Sequence, residues 1–509
     1  MDEYDVVVVG SGGGAMTGAA LAARGGLRTV VLERTPLIGG TSAYSGGACW
    51  LPGSAVQQRA GLPDSTEGAR SYLAAVLDAP DIQRVEAFLA HAPELVEELE
   101  ADPLMDFEWI PFSEYYDAPG RVPMGRSIQP VNIRRADLDP TATELLRPPV
   151  ERDRVGDPGR ATLSGGQALI ARLAAMVVRD GGVIRTDHHV VEVRRDGPTG
   201  RVGAVVAETP AGRVEVRARL GVLVAAGGFE GSQRLRDVHG TPGRAEWSMA
   251  PRGTNTGEVI EACAAIGAAT DFSGEGWFCP GLAQPGGGGA FTLGFRGGLM
   301  VDRSGRRYGN ECLPYDRFGR LMAAAPERIP SWFVFDSREG GRLPAIAIPE
   351  GEAEAHLAAG TWARADSVAE LADQVGIDRG TLEATVARFN GFAASGSDED
   401  FGRGEDEYDT FFASGDGPNK ALVPVDHAPF YAARFVLSDL GTKGGLVTDP
   451  AGRALDDAGA VVPGLYAASN SATSVFGSAY PAPGAPLGAA MVFASLAVRD
   501  MVAACSGGR

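Results

Sequence analysis

The sequence is short of positive charge: 46 lysines and arginines stand against 65 acids, a formal charge of −19. That balance disfavours nonspecific binding to nucleic acid or an anionic membrane surface, because phosphate-rich partners would be repelled. Neutral or apolar ligands fit it better. Cysteine is scarce as well. The five thiols, Cys49, Cys263, Cys279, Cys312 and Cys505, are scattered, odd in number and never spaced CxxC. They offer neither a disulfide framework nor a zinc site, and reduced cytoplasmic thiols are the plain expectation. No apolar run nears ~20 residues without a glycine or proline, so no membrane span is expected. The opening MDEYD is acidic where a secretory leader would be basic. There is no internal repeat and no low-complexity domain.

What is present is bulk. The chain has 509 residues, 44% of them hydrophobic, more than one core usually organises, so two closely connected domains are expected. Near the start, YDVVVVG (Tyr4 to Gly10) reads as a buried parallel strand, β-branched and uninterrupted. GSGGGA then opens a helix. In the dinucleotide fingerprint Gly10 makes the tight turn, Gly12 lets backbone approach a pyrophosphate, and Ala15 lets helix pack on strand. Gly13 and Gly14 lie in the same turn, where helix amides face phosphate. A second strand, LRTVVLE, ends in Glu33, placed to bind a ribose hydroxyl pair and to disfavour a 2'-phosphate.

The run after Glu33, RTPLIGGTSAYSGGACWLPG (Arg34 to Gly53), resembles the segment by which flavoproteins of the fumarate reductase and succinate dehydrogenase superfamily wrap FAD. The resemblance implies FAD contacts at Arg34, Gly40, Thr41, Ser42, Ser45, Gly46 and Gly47. LGVLVAAGGFEGS (Leu220 to Ser232) is similar to the superfamily's second strand and turn, implying Ala226, Gly227 and Gly228. GAVVPGLYAASN (Gly459 to Asn470) looks like its last, implying Asn470, with Ser469 where the family usually has glycine. Val190 and Leu487 complete the implied cofactor set. The implied fold is α/β: a Rossmann-like FAD-binding domain built from both chain ends, 1–275 and 440–509, with an inserted α+β catalytic domain at 276–439.

Dicarboxylate reductases of this superfamily carry approximately G-[VI]-H-G-x-N-R before the last helix. Here the stretch is SVFGSAY, with Phe476, Ala479 and Tyr480 in place of histidine, asparagine and arginine. The carboxylate clamp is missing from this motif. Instead YPAPG, preceded by LGTKGGL (Leu440 to Leu446), resembles the 3-ketosteroid Δ1-dehydrogenases. AYSGGACWLPG, FSEYYDAPG, GRRYGNECLPYDRFGR and HAPFYAA extend the resemblance over nearly the whole chain. It implies that Tyr480 and the amide of Gly484 bond the ring carbonyl, that Tyr315 takes the proton from carbon 2, and that the flavin accepts hydride from carbon 1. Tyr115 matches the assisting tyrosine better than Tyr116, although one residue is missing just after it. Donors aimed at the ketone oxygen stabilise developing enolate charge. A tyrosine base is harder: with a reference pKa of ~10, its ionisation at pH 7 costs about 4 kcal/mol, and a second phenol bonded to the phenolate would reduce that cost.

The expected substrate is a small apolar ketone, a 3-ketosteroid, with a quinone as the expected electron acceptor. Alternatives are a 4,5-desaturase, a cyclohexanone dehydrogenase, or a catalytically silent FAD-binding protein. Trp277, Phe291, Phe295 and Met300 could line the pocket or fill the core. His188 and His189 read as structural, and the acidic run Ser397 to Asp409 as a solvated loop and not a metal site. No histidine occurs in GGTSAYSGG, where some relatives attach flavin covalently, so FAD is expected to be non-covalent. Acid or heat denaturation should release all the yellow colour into the supernatant; colour retained on the precipitated chain would overturn this.

Overall fold

The computed structural model describes residues 2–150 and 161–506, which fall into two compact units. The first holds Met1–Thr241, Ala250–Glu275 and Gly441–Arg509; the second holds Pro242–Met249 and Gly276–Leu440. The chain therefore leaves the first unit and returns to it.

In the first unit the valine run forms the strand Asp2–Val9, whose last residues are buried. It lies inside an eight-stranded sheet, between Gly212–Val224 and Thr29–Leu32 and parallel to both. Val461–Ala467 extends the sheet beyond the former and Val183–Arg185 beyond the latter, again in parallel. Strands covered on both faces need continuous rather than alternating apolar sequence, and Val7, Val30, Val222 and Leu465 share one core. The helix Gly13–Arg24 is made of small residues because the C-terminal helix lies so close to it. A Cβ on Gly14 would meet the Ala490 carbonyl oxygen at 2.8 Å, so the two ends of the chain are joined backbone to backbone.

That C-terminal helix bears on the expected lack of a membrane span. Ala485–Ala504 is long and apolar enough to cross a membrane by length and composition; Pro486 and Gly488 at its start hide it from a search for unbroken apolar runs. Its packing against Gly13–Arg24 gives the apolar surface a place inside the unit. Cys49, Cys263, Cys279 and Cys312 are buried and free; the Cys505 side chain lies outside those described. His188 bonds the Thr186 carbonyl, and His189 bonds Glu258, 69 positions further on.

The second unit centres on a seven-stranded sheet that includes Gly276–Ala283, Gly289–Leu293, Ser331–Asp336 and Phe430–Thr442. Phe295 and Met300 belong to its aromatic core with Phe333 and Phe435. The helix Tyr315–Ala323 packs closely on Gly276–Ala283, since a Cβ on Gly319 would meet Phe278 Cβ at 2.8 Å.

The acidic run departs from the solvated loop expected of it: Asp398 and Asp409 are each 2% exposed. Asp398 accepts from Arg307 at 2.9 and 3.1 Å, and Asp409 from Asn310 at 2.7 Å. Glu311 completes the cluster, accepting from Arg307, Arg403 and the Met300 amide. Burial alone would raise its carboxyl, yet Arg307 and Arg403 hold it below the ordinary value. Since Tyr315 follows Glu311 by only four positions, this cluster fixes the approach to the helix. Removing one partner of a buried ion cluster leaves charge uncompensated at about 3–5 kcal/mol. Glu311→Gln should therefore melt several degrees lower by calorimetry, and a melting temperature within one degree of the parent would refute the anchoring role.

Candidate functional site: a dinucleotide cradle and a two-donor loop

Four parallel strands of the first unit end in one row. Leu32 pairs with Val9, Val9 with Val224, and Val224 with Ala467. The residues that follow, Gly10, Glu33, Ala225 and Ala468, emerge together at the carboxyl edge of the sheet, where doubly wound folds bind nucleotides. Gly10 has φ 101°, and a Cβ on it would meet the Ala225 oxygen at 2.5 Å. No other residue fits this turn without strain.

The cradle is suited to FAD. A Cβ on Gly12 would meet only Ser42 Oγ, at 3.5 Å, and one on Gly40 or Gly46 nothing within 4 Å, so these glycines leave room instead of packing. Thr41 Oγ1 is buried and has no hydrogen-bond partner among the described residues. Ser42 Oγ accepts from the Gly13 amide at 3.0 Å, and Ser45 Oγ from Gly47 at 3.1 Å. Glu33 is buried and accepts from Ser11 and Thr35, which orients its carboxylate, and Arg34 reaches Thr256. Ser471 ties two turns together, accepting from the Ala226 amide and donating to the Gly227 carbonyl. Gly228 lies against Thr442, Leu487 against Gly13, and Asn470 against Gly441. The Val190 side chain is in the core. Ser469 adopts φ 60°; the left-handed conformation suited to glycine is kept with a serine.

The same unit builds the tyrosine site. Tyr480 is 3% exposed and Tyr115 1%, and their rings meet edge-on with centroids 5.3 Å apart. Tyr116 is only half-buried. Around Tyr480 the chain is rich in carbonyls and poor in amides, because prolines at 481 and 483 carry no N–H. The carbonyls are held from outside: Pro481 accepts from Tyr72 Oη at 2.7 Å and from the Tyr115 amide at 3.0 Å, and Pro483 from Ser127 Oγ at 2.6 Å. Lys443 Nζ donates to the Ser478 and Ala479 carbonyls at 2.7 and 2.8 Å. Burial raises the Tyr72 phenol well above its ordinary value, and the Glu114 charge adds to this. It stays a neutral donor. Gly484 has φ 79°, and among the described residues its amide donates to no acceptor.

The Tyr115 segment is fixed by a buried ion group. Glu114 accepts from Trp50 Nε1 at 2.8 Å and the Val122 amide at 2.9 Å, and pairs with Arg126, which also reaches Asp64. Burial raises the Glu114 carboxyl in spite of Arg126. Phe476 is packed against Trp50 and Phe88 as part of the core. In the second unit Tyr315 is 5% exposed, opens its helix after Pro314, and meets the Phe291 ring edge-on at 4.8 Å. Asp316 beside it accepts from the Phe278 amide and Arg320.

Comparison with known proteins bears on this arrangement. Residues 5–487 match the family model described as FAD binding domain. The 3-oxosteroid 1-dehydrogenase of Rhodococcus opacus is 40% identical, over 98% of this chain and 98% of its own. The crystal structure of 3-ketosteroid Δ1-dehydrogenase from Sterolibacterium denitrificans, in complex with 1,4-androstadiene-3,17-dione, superposes with a TM-score of 0.90 at 30% identity, covering 99% of this chain and 100% of that one. The chain belongs to the 3-ketosteroid Δ1-dehydrogenase family. It is an FAD-dependent oxidoreductase. A further relative, the 4-oxocyclohexanecarboxylate 2-dehydrogenase of Sinomonas cyclohexanicum, is 33% identical over 99% of this chain and 94% of its own.

Within this family member, several site-building residues escape sequence reading. Gly165 and Gly166 back the FAD segment: a Cβ on Gly166 would lie 1.8 Å from the Ser42 oxygen. The pair in SGGQALI was a signal, being a second Gly-Gly at a helix start. Tyr72, Glu114 and Ser127 had none. A Cβ on Gly484 would meet the Ala48 oxygen at 2.2 Å in a backbone conformation that alone costs other residues about 1–3 kcal/mol. Gly484→Ala should lower the melting temperature by several degrees and turnover at least tenfold; a variant with parental turnover would refute the need for this close approach.

Proposed function

We propose that this chain desaturates a 3-ketosteroid between carbons 1 and 2. The observation that carries the reading is the Tyr480 loop, where a buried phenol and an available Gly484 amide stand in the place that carboxylate-binding relatives give to arginine. A phenol and an amide can both donate to one ketone oxygen without adding formal charge, and the bonds strengthen as enolate character develops there. Tyr480 and Gly484 hold the carbonyl in this reading. Tyr315, by its LPYDR motif, accepts the carbon 2 proton. The double bond forms from that C–H pair as a hydride departs from carbon 1. FAD supplies the hydride acceptor. Tyr115 supports the tyrosine site, packed edge-on against Tyr480.

Gly10, Gly12 to Ala15, Glu33, Arg34, Gly40 to Ser42, Ser45 to Gly47, Val190, Ala226 to Gly228, Asn470 and Leu487 are the residues proposed to hold FAD, without a covalent bond. A quinone as reoxidant rests on the family resemblance, and a cytoplasmic location on the scattered free thiols. A second reading, favoured by the relative that is 33% identical, is oxidation of a monocyclic 4-oxocyclohexane.

Anaerobic mixing separates the two. Flavin bleaching by 4-androstene-3,17-dione, with the new double bond located between carbons 1 and 2, is the expected result; bleaching by 4-oxocyclohexanecarboxylate alone supports the second reading, and bleaching by neither sinks both. Tyr480→Phe should cut turnover about a hundredfold or more, as loss of an oxyanion donor does, while FAD stays bound. Tyr315→Phe should abolish exchange of the carbon 2 proton with deuterated solvent.

A further inference from the structure

We infer that Lys443 is a positioning residue for the Tyr480 donor, an inference that rests on the functional reading above. Lys443 is 2% exposed. Burying an ammonium is costly unless it is fully hydrogen-bonded, and its Nζ is directed at two backbone carbonyls, those of Ser478 at 2.7 Å and Ala479 at 2.8 Å. These two oxygens belong to the peptides immediately before Tyr480. Rotating either peptide would swing the Tyr480 Cα and its phenol.

The post that carries the ammonium is itself rigid. The Lys443 amide donates to the Glu275 carbonyl at 2.9 Å, and Thr442 bonds the buried Glu230 carboxylate through its amide and hydroxyl, each at 3.2 Å. Gly441, Gly444 and Gly445 all have positive φ, at 141°, 102° and 152°. A Cβ on Gly445 would lie 2.4 Å from the Ser471 oxygen, so the backbone beside Lys443 is held in a close fit that only glycine permits.

Tyr480 thus lies between two sets of anchors of different strength. On its C-terminal side, neutral donors hold Pro481 and Pro483: Tyr72, the Tyr115 amide and Ser127. On its N-terminal side the anchor is Lys443, whose bonds are charge-assisted and stronger than neutral ones. An ammonium suits this task because it brings three donors to one point, from which two carbonyls are reached. Without it, the Gly484 side of the site stays in place while the Tyr480 side loosens, and the two donors no longer converge on one oxygen. The loss falls mainly on the transition state, where those bonds are strongest.

The test is a double-mutant cycle between Lys443→Met and Tyr480→Phe, with flavin absorbance recorded for each protein and steady-state turnover of 4-androstene-3,17-dione measured. The expected result is that Lys443→Met keeps its FAD and loses at least tenfold in kcat with KM changed less than threefold. In the Tyr480→Phe background the same substitution should cost nothing further, because the phenol it positions is gone. A tenfold loss in both backgrounds, or no loss in the parent, overturns the inference. If Lys443→Met does not yield flavin-loaded protein, Lys443→Gln takes its place in the cycle: its shorter chain and neutral amide cannot make both charge-assisted bonds, so the same losses support or overturn the inference. A Tyr480→Phe variant as fast as the parent overturns the donor reading of Tyr480 and this inference together. A crippled Tyr480→Phe variant with an additive Lys443 effect overturns the lysine alone.

Discussion

The contact on which the first unit depends is the backbone-to-backbone approach of its first and last helices. Gly14 lies so close to Ala490 that a methyl group would collide with it, and one on Gly18 would touch Ala494 Cβ at 3.5 Å. This approach has two consequences. It buries the long apolar C-terminal helix, and it brings Leu487 against Gly13, so that the segment leading into the last helix sits at the turn where the first strand ends. A dinucleotide fold and a tyrosine loop from opposite ends of the sequence become parts of one structure. The glycines in Gly13–Arg24 therefore serve tertiary packing, at the cost of the helix propensity that alanine in their place would supply.

The tyrosine loop illustrates a second constraint. Proline fixes φ and removes N–H groups, so YPAPG gains rigidity but leaves carbonyls that nothing local can satisfy. Tyr72, Ser127, the Tyr115 amide and Lys443 satisfy them from distant parts of the sequence. Each bond that satisfies a carbonyl also aims the chain. The burial that raises the Tyr72 phenol keeps it protonated and donating, and the Glu114 group with Arg126 and Asp64 fixes the segment from which the Tyr115 amide reaches Pro481. Rigidity of this kind is what convergent donors require, since a donor misplaced by an ångström loses most of its effect on the transition state.

What was legible in the sequence follows from this distinction. The strand, glycine turn and helix at Tyr4 to Ala15 and the acid at Glu33 carry local signals: a β-branched run, glycine spacing, an acid at a strand end. The Tyr115, Tyr315 and Tyr480 stretches were legible as motifs, and the structure brings Tyr115 and Tyr480 ring to ring. The anchors were not legible. Lys443 bonds carbonyls 35 and 36 positions away, and Ser127 one 356 positions away; a hydrogen bond to a backbone oxygen imposes no pattern on the sequence around it. The acidic run misled for a similar reason. Its composition is that of a solvated loop, but Asp398 and Asp409 are drawn inward by Arg307 and Asn310, residues almost a hundred positions earlier whose need for partners cannot be read from the run itself.

Charge is placed in this site with evident selectivity. The stretch that holds arginine and histidine in dicarboxylate reductases holds tyrosine and phenylalanine here, and Phe476 is absorbed into the core with Trp50 and Phe88. A guanidinium aimed at a neutral ketone would have to be desolvated with no anion to compensate it. Uncharged donors avoid that penalty and gain strength only as negative charge develops on the oxygen. The cation that the loop does use, Lys443, is turned toward backbone carbonyls, where its charge stabilises the scaffold of the site. In the function proposed above, the uncharged donors that would meet the ketone are thus separate from the charge that holds their backbone in place.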